Sequence, residues 1–156
     1  MAKRDRKPSK APWVIAAAAG AIFAASNGGV PDSAASAAES KPSSSGAVVA
    51  QAAKDAGWPK ADLVKVVAVG FAESSWNTDA THRNNDGTTD KCWLQVNTVN
   101  AQVFKGRNWR NPTDCARMAL DVKKQQGWRA WVTVNTGAYK QHLAKARAAV
   151  AEAGLS

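Results

Sequence analysis

A chain of 156 residues has room for one compact domain and a tail, but not comfortably for two domains. Its 45% hydrophobic and 21% charged residues are ordinary for a globular protein, whereas its net charge of +9 is not. The excess is spread along the chain, six basic against three acidic residues over 1–46 and fifteen against nine over 47–156. With no dense Lys/Arg block, polyanions are favoured as partners but nucleic acid is not expected among them.

Met1 to Lys10 form a basic flank, followed by an uncharged Ala- and Gly-rich run from Ala11 to Pro31. That pairing is the pattern of an export signal. Small residues at Ala24–Ser26 and Ala34–Ala38 offer cleavage sites, and the run also just suffices to span a bilayer, for which about 20 residues are needed. Residues 1–32 thus read as a cleaved signal peptide, a stable anchor touching the membrane through 11–31, or a span that later leaves it. Each reading exports the rest of the chain. Residues 33–46 lack bulky apolar side chains and read as a flexible linker to a domain over 47–156.

From there the pattern is helical. Ala47–Ala56 forms a short helix stopped by Gly57, and Pro59 suits the first turn of a second helix running to about Ser75. Leu63, Val64, Val66, Val67, Ala68, Val69 and Phe71 make that helix apolar almost all round, which predicts burial. Residues 76–97 are polar and turn-rich. Within them Thr81–Arg83 and Thr88–Asp90 flank Asn84-Asn85-Asp86-Gly87, a tight hairpin whose positive-φ positions fall on Asp-Gly. Asn111-Pro112 begins a further helix, Asn as cap and Pro at its first position, with Cys115, Met118, Ala119 and Val122 as a core-facing stripe. Gly127 ends it, and a last helix is expected from about Ala138 to Ala153. The fold class is α+β, mainly α.

Glu73 is the candidate for chemistry. It sits near the end of a helix of Val, Ala, Leu and Phe, where burial raises the pKa of a carboxyl and keeps it protonated near neutrality. A protonated carboxyl can donate to a leaving sugar oxygen. An exposed Glu at a frayed helix end is the alternative. The stretch from Glu73-Ser-Ser-Trp through Asn84-Asn-Asp-Gly and Asp90 to Leu94-Gln-Val-Asn97 decides between them, because it resembles the active-site stretch of c-type lysozymes without a gap. Its Glu-Ser-Ser start and Gln-x-Asn strand are also similar to goose-type lysozymes and lytic transglycosylases. The resemblance covers about 25 residues, and a marginal anchor ahead of such a domain also resembles phage lysins. Lysozyme is itself the standard worked case of the pKa reasoning used for Glu73.

The resemblance implies a lysozyme-like helical domain whose small β-hairpin forms one wall of the cleft. It implies Glu73 as acid and Asp90, held among Thr88, Thr89 and Asn84, as the ionised nucleophile or oxocarbenium stabiliser; Asp86 reads as a turn former. Gln95 and Asn97, two apart on a strand, would face the same way. That way is either the cleft, where amides bond sugar, or the hairpin backbone. Trp131 resembles the tryptophan that packs on the catalytic Glu, Trp76 and Trp93 read as core, and Trp109 and Trp128 could line a sugar groove with Arg107, Arg110 and Arg129. Asn135-Thr-Gly-Ala-Tyr139 is similar to a transglycosylase motif, but Val134 stands where that motif has Tyr; Asn135 matches, and Tyr139 could reach in. Cys92 and Cys115 read as one disulfide outside the cytoplasm, or as two buried thiols. Cys92 also stands where the c-type family has Gly. His82 and His142 belong to no grouping with metal-ligand spacing, and neither metal nor cofactor is expected. The implied function is a monomeric muramidase cutting peptidoglycan at the β-1,4 bond between N-acetylmuramic acid and N-acetylglucosamine. A lytic transglycosylase using Glu73 alone and a non-catalytic glycan-binding module are its rivals.

Overall fold

In the computed structural model, which describes residues 44–156, Ser44 caps the first helix. Its hydroxyl accepts from the Ala47 amide at 3.1 Å, so helix α1 (Ser45–Asp55) begins earlier than the sequence suggests. Residues 44–46, read from the sequence as linker, form the cap and first residues of this helix. Gly46 is buried, and a Cβ there would lie 2.5 Å from the Trp76 ring, so this small residue is a packing requirement. Ser44 also donates from its backbone amide and hydroxyl to Glu152, at 3.1 and 2.7 Å, tying the first helix to the last. The expected export segment, residues 1–32, and most of 33–46 lie outside the described residues. Among those described, no helix is long and apolar enough to cross a membrane.

Helix α2 (Lys60–Ser74) follows Pro59, whose fixed φ suits a helix start. Leu63, Val66, Val67, Ala68, Val69 and Gly70 are all buried, as its composition predicts. The helix ends where Ser75 and Trp76 both take left-handed backbone, with φ of 53° and 65°, turning the chain into the sheet. Strands β1 (Thr81–Arg83), β2 (Thr89–Lys91) and β3 (Val96–Asn97) form an antiparallel sheet in that order. Asp90 is opposite His82 on one side and Asn97 on the other.

Asn111 caps α3 (Pro112–Gln126) by accepting from the Thr113 and Asp114 amides, and Gly127 ends it at φ 71°. Short helix α4 (Val132–Asn135) comes next. The single final helix expected from Ala138 is instead a 3₁₀ turn over Ala138–His142 followed by α5 (Leu143–Glu152). Gly137, in left-handed backbone, opens that turn, and His142, whose ring packs on Phe71 at 4.7 Å, stands at the junction with α5.

One buried cluster joins α1, α2, α3 and α5 with the 92–96 segment. Trp93 is fully buried at its centre, its indole donating to the Pro112 carbonyl at 3.0 Å. It lies on Gly70: a Cβ there would be 2.3 Å from Trp93 Cε3. Gly70→Ala is therefore expected to destabilise the protein by about 3 kcal/mol, because neither partner can move in a close-packed interior. An unchanged urea midpoint would show that α2 does not rest on Trp93.

Candidate active site

Two contacts fix the segment between β2 and β3, one from the end of α2 and one from Trp131. The Ser74 hydroxyl, next to Glu73, donates to the Trp93 carbonyl at 2.8 Å, and the buried Trp131 indole donates to the Leu94 carbonyl at 2.9 Å. The disulfide Cys92–Cys115 fixes the same segment to α3, as the cysteine usage predicts. Disulfides persist in oxidising compartments, which fits a location outside the cytoplasm.

Glu73 is half-buried, and its Oε1 accepts from the Thr133 hydroxyl at 2.5 Å. Its pKa is raised from 4.5 to about 7. Burial is the largest cause, and repulsion from the Asp90 carboxylate adds to it, while the Thr133 hydroxyl and backbone amide pull the other way. A carboxyl that keeps its proton to neutrality beside a second carboxylate is suited to general acid chemistry.

Asp90 belongs to a polar network built by the hairpin. The Asn84 amide donates to Asp90 Oδ2 and to Thr88 Oγ1, both at 3.1 Å. Thr88 Oγ1 also accepts from the Asn97 amide at 3.0 Å and donates to Asp86 at 2.6 Å. Asp86, bonded twice by Thr88, has its pKa held below the usual carboxylate value and shapes the turn. Thr89, expected beside the Asp90 carboxylate, instead uses its amide to donate to Thr98 Oγ1. Thr88 is the hub of this network.

The other expected site residues have these surroundings. Gln95 precedes β3 and takes left-handed backbone, φ 48°, so it does not share a face with Asn97 through strand alternation; its amide donates to the Cys92 carbonyl at 2.8 Å. Asn97 donates to Thr88 and accepts from the Val99 amide, so one end of its side chain serves the hairpin and the other caps the 3₁₀ helix over Thr98–Phe104. Trp131 is only 5% exposed and its ring lies 5.8 Å from that of Trp128, a burial compatible with a role in drying the acid. Trp128 stacks at 5.4 Å on Trp58, while Trp109 lies beneath Arg110 and Lys91, so the two have separate surroundings. Exposed Asn135 donates to the Arg129 carbonyl, and Tyr139 packs on the core with the Lys65 ammonium 5.4 Å from its ring.

Two surface cavities, of about 360 and 390 Å³, lie elsewhere: one is bordered by Lys105, Arg107 and Lys124, the other by Val48, Trp76 and Pro112. Neither includes Glu73 or Asp90. Thr133 was not legible in the sequence, since no periodicity connects positions 60 residues apart.

Residues 50–133 match the family model described as a lysozyme-like domain. The matched stretch holds Glu73, Asp90, both cysteines and Trp131, and it ends on Thr133. No curated protein matches the chain.

Proposed function

The chain belongs to the lysozyme-like domain family, and on that premise we propose that it is a muramidase cleaving the β-1,4 bond between N-acetylmuramic acid and N-acetylglucosamine in peptidoglycan. The family implies a glycoside-acting enzyme with peptidoglycan as substrate; the choice of hydrolysis rests on the two carboxylates. One observation carries it: Glu73 holds its proton to about pH 7 while feeling the charge of Asp90. Glu73 gives that proton to the glycosidic oxygen as the C–O bond breaks. Asp90 captures or stabilises the oxocarbenium ion, and ionised Glu73 then takes a proton from the water that attacks the sugar. The disulfide supports action outside the cytoplasm, and the net charge of +9 would hold the enzyme on an anionic wall.

The test is the mass of the sugar products released from purified wall. Hydrolysis adds one water per bond cut, whereas a transglycosylase, which lets the substrate's own hydroxyl attack, leaves an anhydro sugar. Asp90→Asn checks the same point within the protein. We expect a loss of about a hundredfold or more in kcat, the scale of removing a charged group that acts in the transition state. Near-normal activity with anhydro products would replace the muramidase with a transglycosylase relying on Glu73 alone.

A further inference from the structure

We infer that Thr133 is a positioning residue of this reaction: its hydroxyl fixes Oε1 of Glu73 against α4, so that Oε2 is the oxygen that carries the acid proton. The inference rests on the muramidase reading and goes beyond it by assigning the proton to one atom and naming what assigns it.

Thr133 approaches the Glu73 carboxyl with two donors, its hydroxyl at 2.5 Å from Oε1 and its backbone amide, and the hydroxyl has the stronger influence of the two. Its hydroxyl is available because of local backbone geometry. A threonine in a helix commonly donates to the carbonyl four residues back, as Thr136 does to Val132 at 3.0 Å. At Thr133 the residue four back is Arg129, outside the four-residue helix, and its carbonyl already accepts from the Asn135 amide at 2.9 Å. The hydroxyl turns to Glu73 instead. Asn135 thereby gains a role that requires no contact with sugar.

A hydroxyl has one proton to donate, and a neutral carboxyl has one hydroxyl oxygen and one carbonyl oxygen. If Thr133 donates to Oε1, Oε1 is the carbonyl-type oxygen and the acid proton resides on Oε2. After that proton passes to the glycosidic oxygen, the Thr133 bond becomes charge-assisted and stronger. Thr133 thus stabilises the carboxylate left by proton donation, which then receives a proton from water. Burial and Thr133 act in opposite directions on the same group. The position of the hydroxyl is set from the core, through the Trp131 indole bonded to the Leu94 carbonyl two residues earlier in the chain.

The experiment compares the parent with Thr133→Val, which keeps the shape and removes the donor, and Thr133→Ser, which keeps the donor. Two readouts are taken: the carbon-13 titration of the Glu73 carboxyl without substrate, and the pH profile of kcat and KM on purified wall. For Thr133→Val we expect the Glu73 midpoint and the alkaline limb to rise by about one pH unit, and kcat to fall about tenfold. KM should hold within about twofold, and Thr133→Ser should follow the parent. A folded valine variant with an unshifted midpoint overturns the inference, as does a serine variant that behaves like valine. If valine does not fold, Thr133→Ala is held to the same criterion. A parent that titrates as expected but cuts no wall defeats the muramidase reading and, with it, the catalytic role of the bond. A parent that cuts wall beside an unshifted valine variant defeats the Thr133 assignment alone.

Discussion

Glu73→Gln leaves a folded protein that no longer clears cell wall, yet withstands denaturation better than its parent above pH 7. The activity loss should be about a thousandfold, since the amide fills the same space but has no acidic proton to give. The stability gain follows from the raised pKa. Glu73 has a value of about 7 in the folded protein against 4.5 when unfolded, so between those values the folded chain binds more protons than the unfolded one. Stability therefore falls as pH rises through that window, by up to about 3 kcal/mol, and is flat above it. Glutamine has no such slope. The variant should melt on the order of 10 °C higher than the parent at pH 8, and the gap should close below pH 4.5. Two thermal scans and one turbidity assay suffice. Equal melting at pH 8 would mean that Glu73 is well hydrated and that its proton is lost too early to serve. Wall binding without clearing in the parent itself would instead favour a glycan-binding module.

Removing the disulfide should lower stability by about as much as Glu73→Gln raises it. Cys92 and Cys115 are 23 residues apart, and opening a loop of that length gives back about 3 kcal/mol of chain entropy to the unfolded state. The Cys92→Ala/Cys115→Ala double variant, or the parent with reductant, should melt on the order of 10 °C lower. Both cysteines are fully buried, and the Cys92 backbone donates to the Ala80 carbonyl and accepts from the Gln95 side-chain amide, so loosening the bridge also disturbs these bonds. A shift of only a degree or two would show that the bridge constrains little.

The sequence was informative wherever local chemistry sufficed. Asn111-Pro112 marks a helix start because a cap and a fixed φ need no distant partner, and Asp86-Gly87 marks a turn for a similar reason. Burial of α2 followed from its own composition. Legibility failed where a long-range contact overrides local preference. Gln95 looked like part of a strand, but the disulfide-tied segment places it in left-handed backbone. Gly46 looked like linker and is a packing contact. Trp131 reads as packing on the acid, but the hydroxyl that bonds Glu73 comes from Thr133, two positions on, and no spacing rule points to it; the Trp131 indole itself bonds the Leu94 carbonyl. Spacing along the chain identifies candidate carboxylates; which hydroxyl meets them is settled by how the last third of the chain closes over the helices.

That closure has a practical side. Because Ser44 grips Glu152, and the Lys60 ammonium holds the Ser156 carbonyl at 3.2 Å, the first and last turns of the domain are neighbours in space. A cassette whose two ends meet can be spliced into a surface loop of an unrelated host, or cut open and rejoined in a new order, with little distortion. The unit from Ser44 to Ser156 is therefore portable: it can be mounted on another scaffold through a single point of attachment.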